Sequence, residues 1–156
     1  NTSGDIVGWM DSNMGSLSKR LPEMINNLEN DDLVILSRYV DGGKDQRSRL
    51  RILSSQLINI LCRVVLSPKI KDYTSGIFVM KREILKHAVP ISYGHGEFFI
   101  EFLYKLLIKG VKMKEIPYIH PPDIEGLSKT ASSLFRFCDL GLDYVFRIFR
   151  IRFRKN

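Results

Sequence analysis

Cysteine is scarce in this chain of 156 residues: Cys62 and Cys138 are far apart, and each sits in apolar surroundings. A disulfide framework and a cysteine-rich metal site are both excluded, which leaves two buried thiols in a reducing compartment as the ordinary reading. Histidine is almost as sparse. His87, His95 and His120 are scattered, and none has a partner at metal-ligand spacing. No apolar run approaches the ~20 residues that a membrane-spanning helix needs, and the start carries no secretory-signal pattern. Repeats and low-complexity tracts are missing as well. Acidic residues are in deficit, 17 Asp and Glu against 24 Lys and Arg, for a formal charge of +7. That excess points to an anionic partner: nucleotide phosphate, nucleic acid or an acidic lipid surface.

What is present is a globular balance, 44% apolar and 26% charged, in a length that makes one domain with a real core. The chain is organised around residues 6–13, IVGWMDSN. Apolar residues run straight into an acidic-polar cluster, the pattern of a buried strand that delivers Asp11 and Asn13 to its carboxyl end. In open α/β sheets, ligands collect at those ends. Oxygen-bearing side chains at i and i+2 can share one hard cation that holds a diphosphate; they are also ordinary turn residues. Such a strand wants neighbours on both sides, and residues 1–5 supply none. The expectation is a domain whose N-terminal part is absent from this sequence.

Leu21, Met24, Ile25 and Leu28 follow at helical spacing, with Ser16 or Ser18 as the cap and Pro22 in the first turn. Leu33-Val34-Ile35-Leu36 reads as a second buried strand. Strand, helix and strand in that order predict two parallel strands. Residues 40–48, VDGGKDQRS, predict either a solvated connection or a mobile substrate loop. A long helix spans 47–66, with Leu50, Leu53, Leu57, Ile60, Leu61 and Val64 as its apolar face. Arg47, Arg49 and Arg51 crowd its start, where the helix dipole disfavours cations. Either an anion binds there or the basic end is simply solvated.

A polar turn at 71–76 leads into a strand at 77–80, a short helix from Lys81 and a loop at 93–96. Residues 97–108 form an amphipathic helix with Ile100, Leu103, Tyr104 and Leu107 inward and Gly110 at its C-cap. Pro117 confines the strand at 111–119 to an edge or a bulge, and residues 120–129 are irregular. On the final helix, 134–154, Phe137, Leu140, Tyr144, Ile148 and Ile151 share one face, while Arg136, Arg147, Arg150 and Arg154 make a narrow ridge. It is too apolar to float in water and too basic to span a bilayer. It lies on a membrane interface, in a partner's groove, or against the core as a helix with a salted edge.

The order of these motifs resembles the family 2 glycosyltransferases of GT-A fold, in particular the branch of dolichyl-phosphate mannose synthase and bacterial polyprenyl-phosphate glycosyltransferases. The stretches that carry the resemblance are WMDSN with RLPEM, SRYVDGG, the basic helix start with Ser54-Ser55, DYTSGIFVMKRE, GHGEFFIEFLYKLLIKG, and EIPY leading to EGLSK. The resemblance implies an α/β fold, part of a Rossmann-like mixed sheet flanked by helices. Residues 1–130 would form the C-terminal portion of the catalytic domain without its nucleotide-binding half, and residues 131–156 an amphipathic basic helix at a membrane interface. It implies transfer of a sugar from a nucleotide-sugar, whose diphosphate is held by Mg²⁺ or Mn²⁺, to a polyprenyl or dolichyl phosphate at the cytoplasmic face of a membrane.

Carried over by position, Asp11 matches the first Asp of the metal motif, Asn13 stands in place of the second, and Gly15 takes the place of a third ligand. Arg38, Ser128 and Lys129 match positions that handle the donor diphosphate. Arg49, Arg51 and Ser54 lie where the acceptor phosphate binds, and Ser75 and Gly76 line the site. Asp72 is the candidate general base for a hydroxyl acceptor; a phosphate acceptor, already an anion, needs little help of that kind. Asp123 replaces a common arginine. Asn13, Gly15 and Asp123 together keep open a non-catalytic relative that binds without turnover, and a glycan acceptor is a further alternative. A nucleic-acid-binding module rests on charge alone, without the aromatic-basic interleaving such modules use.

Overall fold

The computed structural model describes residues 4–10, 17–90, 96–122 and 134–153, the last with side chains from Gly141 onward. In chain order the elements begin with β1 (Ile6–Trp9), α1 (Leu21–Asn27), β2 (Leu33–Ser37), β3 (Lys44–Asp45) and α2 (Arg49–Val65). They continue with β4 (Phe78–Lys81), a 3₁₀ turn over Arg82–Lys86, α3 (Glu97–Ile108), β5 (Met113–Pro117), β6 (Ile119–His120) and α4 (Leu134–Phe153).

β2 is the middle of the sheet because its run of apolar side chains has no face that water could share, and every one of its residues is buried. β5 pairs parallel to it along an edge, ending with Pro117 opposite Ser37. An edge is where a residue without an N–H belongs. On the other side β4 is antiparallel to both β2 and β1, in the order β1-β4-β2-β5. β1 and β2 therefore run in the same direction, as strand–helix–strand predicts, but β4 has been inserted between them. β1 is not the buried strand expected: Ile6, Gly8 and Trp9 are exposed, and β4 is its one partner among the described residues.

The pleat sends alternate residues of β2 and β4 into two cores. Leu33, Ile35, Phe78 and Met80 face a layer of α2, α3 and α4, in which Phe78 stacks on Phe99 with centroids 5.6 Å apart. Val34, Leu36 and Val79 face α1 through Met24 and Leu28. α1 carries Pro22 in its first turn as expected; its N-cap is Arg20 rather than a serine, and Ile25 points to solvent. On α3, Ile100 and Leu103 are buried as predicted, joined by Phe99, Phe102 and Leu106, while Tyr104 and Leu107 are half-buried.

α2 reverses its expected orientation. Leu50, Leu53, Leu57, Ile60 and Val64 are exposed, Leu57 by 66% and Val64 by 79%. The side turned inward carries Asn59, Cys62, Ile58, Leu61 and Val65. The reason is polar. Ser55 and Asn59 are needed inside, where they hold the turn that precedes β4: Asn59 Nδ2 donates to Thr74 Oγ1 at 2.8 Å, and the Tyr73 amide donates to Asn59 Oδ1 at 2.6 Å. Burial lifts the Cys62 thiol to about 12, so it is protonated and inert at neutral pH.

α4 packs on α2 and α3 through Tyr144, Ile148 and Ile151, so the apolar face read from the sequence lies against the core, one of the alternatives left open for it. Arg147 is not part of a solvated ridge, because its Nη2 meets Glu101 at 2.8 Å on α3. Arg150 of that ridge is exposed, and Phe137, Leu140, Arg136 and Arg154 lie outside the described side chains. Among the described residues, no helix is long and apolar enough to cross a membrane.

Candidate active site

The carboxyl ends of β1, β2 and β5 and the start of antiparallel β4 share one margin of the sheet, because Trp9 and Ile35 both face Phe78 and Ser37 faces Pro117. Ligands collect at such margins in open α/β sheets. Here it gathers Trp9, Arg38, the turn at 71–76, the 118–120 segment and the starts of α2 and α3. Trp9 closes edge-on over Phe98 of α3, 5.8 Å between centroids.

Arg38 is the hub. Leaving β2, its backbone N–H donates to Asp72 Oδ2 at 2.9 Å, and its Nε donates to the same oxygen at 2.8 Å. Its Nη2 donates to Asp72 Oδ1 and to Thr74 Oγ1, each at 2.7 Å, and its Nη1 meets Asp45 Oδ2 at 3.4 Å. Burial works against the charge, but the Asp72 carboxylate outweighs it and holds the guanidinium protonated beyond its ordinary range. The guanidinium lies 5.1 Å from the centroid of the Tyr39 ring.

Two residues singled out in the sequence meet in this pairing. Arg38, assigned to the donor diphosphate, has a side chain 2% exposed that is turned to Asp72, Thr74 and Asp45. Asp72, the candidate general base, is wholly buried, and its oxygens accept from Arg38 and from the Thr74 amide. Both are scaffold, joining β2 to the turn before β4. Ser75 extends that scaffold by donating to the Leu36 carbonyl, and Gly76 takes a left-handed φ of +73° that lets the chain turn into β4. Two residues of this margin that line the expected site are therefore braces.

The 40–48 stretch is anchored rather than mobile. β3 pairs parallel with β6, and the Asp45 side chain is buried between Arg47, at 2.6 Å, and Arg38. Asp45 and Arg47 were missed as structural residues because GGKDQR reads as a solvated loop. Gly43 fixes the path: a Cβ there would lie 2.7 Å from the Arg38 carbonyl carbon and oxygen and from the Ser37 oxygen. Gly43→Ala is expected to lower stability by about 1–3 kcal/mol, since backbone rather than a side-chain tip must yield. Urea unfolding checks it, and an unchanged midpoint would contradict the close approach.

Acid should also loosen this margin. Burial opposes the charge on Asp45, but Arg47 and Arg38 outweigh it and hold its carboxyl below the ordinary value. At Asp32 and Glu101, lysine and arginine partners overcome burial in the same direction. Burial also lowers His120, whose Nδ1 donates to the Pro121 carbonyl at 2.8 Å. In every case the unfolded chain binds protons that the folded chain refuses, so stability falls as pH falls. His120 acts first, below about pH 6.5, and the carboxylates follow below about pH 4. His120→Gln should flatten the midpoint of unfolding between those values and leave the acid limb intact.

The acceptor-phosphate assignments lie together at the start of α2. Arg49 is exposed, Arg51 half-buried, and Ser54 Oγ donates back to the Leu50 carbonyl at 2.8 Å. The first turn contains no acid, and its N-cap, Ser48, makes no side-chain capping bond. Two arginines at the positive end of a helix whose first turn holds no acid make an electrostatic setting that an anion relieves. At the start of α3, Glu97 is buried and Gly96 takes φ +113°, with the Tyr144 hydroxyl of α4 packed against it. Neither Glu97 nor Tyr144 was singled out for the site in the sequence; a carboxylate opening a helix after a His-Gly pair is the signal that could have found the first. Asp11, Asn13, Ser128 and Lys129 lie outside the described residues. Among the described residues, no three of His, Cys, Asp and Glu stand close enough to hold a metal ion.

A mixed sheet flanked by helices, with the carboxyl ends of β1, β2 and β5 at one margin, is an α/β architecture of the GT-A kind. Residues 1–88 match the model of glycosyl transferase family 2, and the chain belongs to that family. Among solved structures, glucosyl-3-phosphoglycerate synthase from Mycobacterium tuberculosis in complex with Mn²⁺ and UDP-glucose is similar at a TM-score of 0.62 and 17% identity, covering 99% of this chain and 51% of that one. The same synthase in complex with phosphoglyceric acid gives 0.64 at 17% identity over 99% and 52%. A structure described as a mycobacterial protein gives 0.67 at 17% identity over 99% and 49%. At that identity the likeness is one of fold, and the chain spans about half the length of these structures.

Proposed function

We propose that this chain supplies the acceptor side of a glycosyltransferase that moves a sugar from a nucleotide-sugar to a phosphate-bearing acceptor, and that the acceptor is a polyprenyl or dolichyl phosphate. The observation that carries the reading is the start of α2, where Arg49 and Arg51 stand in a first turn that holds no acid, beside the outward Leu50 and Leu53. A phosphate fits the first feature and an isoprenoid chain the second. Locking Asp72 into the Arg38 pair favours the same acceptor, because a phosphate oxygen is nucleophilic at neutral pH without a base. In this reading residues 1–130 belong to the catalytic domain, and residues 131–156 rest at the cytoplasmic face of a membrane.

Mn²⁺ or Mg²⁺ fits the donor half of the reaction, as structures of similar fold are complexes with Mn²⁺ and UDP-glucose or with Mg²⁺ and UDP. Asp11 and Asn13, just beyond the exposed end of β1, would hold it; when bound, it offsets the charge that grows on the departing diphosphate. Lys129 and Ser128 would add donors there, and the sugar would leave by direct displacement at its anomeric carbon. Asn13 in place of a carboxylate weakens the site by one charge. Asp11→Ala should reduce release of nucleoside diphosphate by roughly a hundredfold or more, and a chelator should abolish it. Release that survives both treatments would remove the metal from this account.

A second reading keeps the transfer and changes the acceptor to a small phosphorylated acid. It is favoured by the fold likeness to glucosyl-3-phosphoglycerate synthase in complex with phosphoglyceric acid. The same arginines would serve it, but the apolar face of α2 would then have no role.

A further inference from the structure

α2 and α4 are each apolar on two sides. Their inward stripes meet the same core on one face of the sheet, so their outward stripes face away from the sheet on the same side of the molecule. The outward stripe of α2 is centred on Leu57. That of α4 consists of Leu142, Phe146, Phe149 and Phe153, spaced three or four residues apart, with Phe146 exposed by 69% and Phe153 by 75%. A helix turned toward water keeps such positions polar, so these two stripes are built for something that is not water.

The charges beside them decide what. α2 contains no Asp or Glu, and carries Arg49 and Arg63 exposed at its ends. The second half of α4 carries exposed Arg150 and Arg152, and Asp143 is the acid of its described residues. A second copy of this chain is a poor occupant. A two-fold contact would set these arginines against their own images, with almost no carboxylate to meet them. An anionic bilayer surface suits all of it: phenylalanine and leucine enter the headgroup boundary, and arginines reach the phosphates above.

We infer that the outward faces of α2 and α4 together form a docking surface for an anionic membrane, which holds the Arg49–Arg51 end of α2 at headgroup level. This extends the membrane contact proposed for α4 and rests on the lipid-phosphate reading for its purpose, though its measurement does not. An acceptor whose phosphate sits in the headgroup layer would then meet the start of α2 without leaving the bilayer.

The test is co-sedimentation of the chain with vesicles of phosphatidylcholine mixed with phosphatidylglycerol, against phosphatidylcholine alone, with no donor or acceptor present. Binding to the anionic vesicles should exceed binding to the neutral ones by about tenfold or more and should fall with salt. Leu57→Gln with Phe149→Ser should weaken it at least about tenfold. Arg150→Gln with Arg152→Gln should weaken it and flatten the salt dependence. All four side chains are at the surface, and a thermal melt confirms that each variant stays folded. Equal or absent binding to both vesicles, or binding that ignores the substitutions, overturns the inference. So does a concentration-dependent dimer that Leu57→Gln dissolves while vesicle binding is absent. Turnover with a short, water-soluble isoprenyl phosphate reads the proposed function separately, because that acceptor needs no membrane.

Discussion

Asp72→Ala is expected to remove about 3–5 kcal/mol of stability, more than any other single change proposed for this chain. The substitution leaves the Arg38 guanidinium buried with its principal counter-charge gone, and it strips acceptors from the Arg38 and Thr74 amides. Asp45, at 3.4 Å from Nη1 and already engaged by Arg47, cannot replace them. The loss should be largely recoverable. Replacing both partners with apolar residues of similar volume, Arg38→Met with Asp72→Leu, removes the orphaned charge and should restore most of the stability, since a buried pair is costly to break and cheap to delete. Urea unfolding of the two single variants and the double variant measures this directly. A loss under about 1 kcal/mol for Asp72→Ala would mean that the pair is solvated and would contradict its place as a brace of this margin.

The second large effect is functional. Arg49→Gln with Arg51→Gln should lower kcat/KM for a phosphate-bearing acceptor by roughly two to four orders of magnitude, as two charge-assisted hydrogen bonds of about 1.5–3 kcal/mol each are lost. The slow hydrolysis of the nucleotide-sugar by water, which uses no acceptor, should change little. A thermal melt confirms that the variant stays folded. A parallel loss of acceptor transfer and water hydrolysis would place the arginines on the donor instead. No loss of either would take the acceptor away from α2.

How much of this could be read from residues alone depends on the range over which each decision is made. β2 was plain, because four consecutive apolar residues bounded by polar ones have few other uses, and the shared direction of β1 and β2 followed from the helix between them. That β4 comes between them was not legible; it is set by a pairing between residues more than forty positions apart, Ile35 with Phe78. α2 was misread for a different reason. Periodicity finds a stripe, and α2 has two; the more apolar one lost the core to a side that carries Ser55 and Asn59, whose value lies in Tyr73 and Thr74. The pairing of Arg38 with Asp72 at the sheet margin was not legible, because a charged residue at such a margin reads the same whether it faces a substrate or another charge thirty-four positions away. The start of α2 was legible in part: three arginines at a positive helix end are anomalous in sequence, and the fold leaves Arg49 and Arg51 there but pairs Arg47 with Asp45 ahead of the helix.

The central claim is that the acceptor carries its phosphate on a lipid, and one assay tests it most directly. The protein would be given a panel of nucleotide-sugars with Mn²⁺, and nucleoside diphosphate release would be followed with a polyprenyl phosphate, the matching polyprenol, and 3-phosphoglycerate. The account predicts release that depends on the polyprenyl phosphate, is absent with the polyprenol, and collapses in Arg49→Gln with Arg51→Gln. Release driven equally well by 3-phosphoglycerate would contradict the lipid acceptor, and release with no phosphate-bearing acceptor at all would contradict the role given to the start of α2.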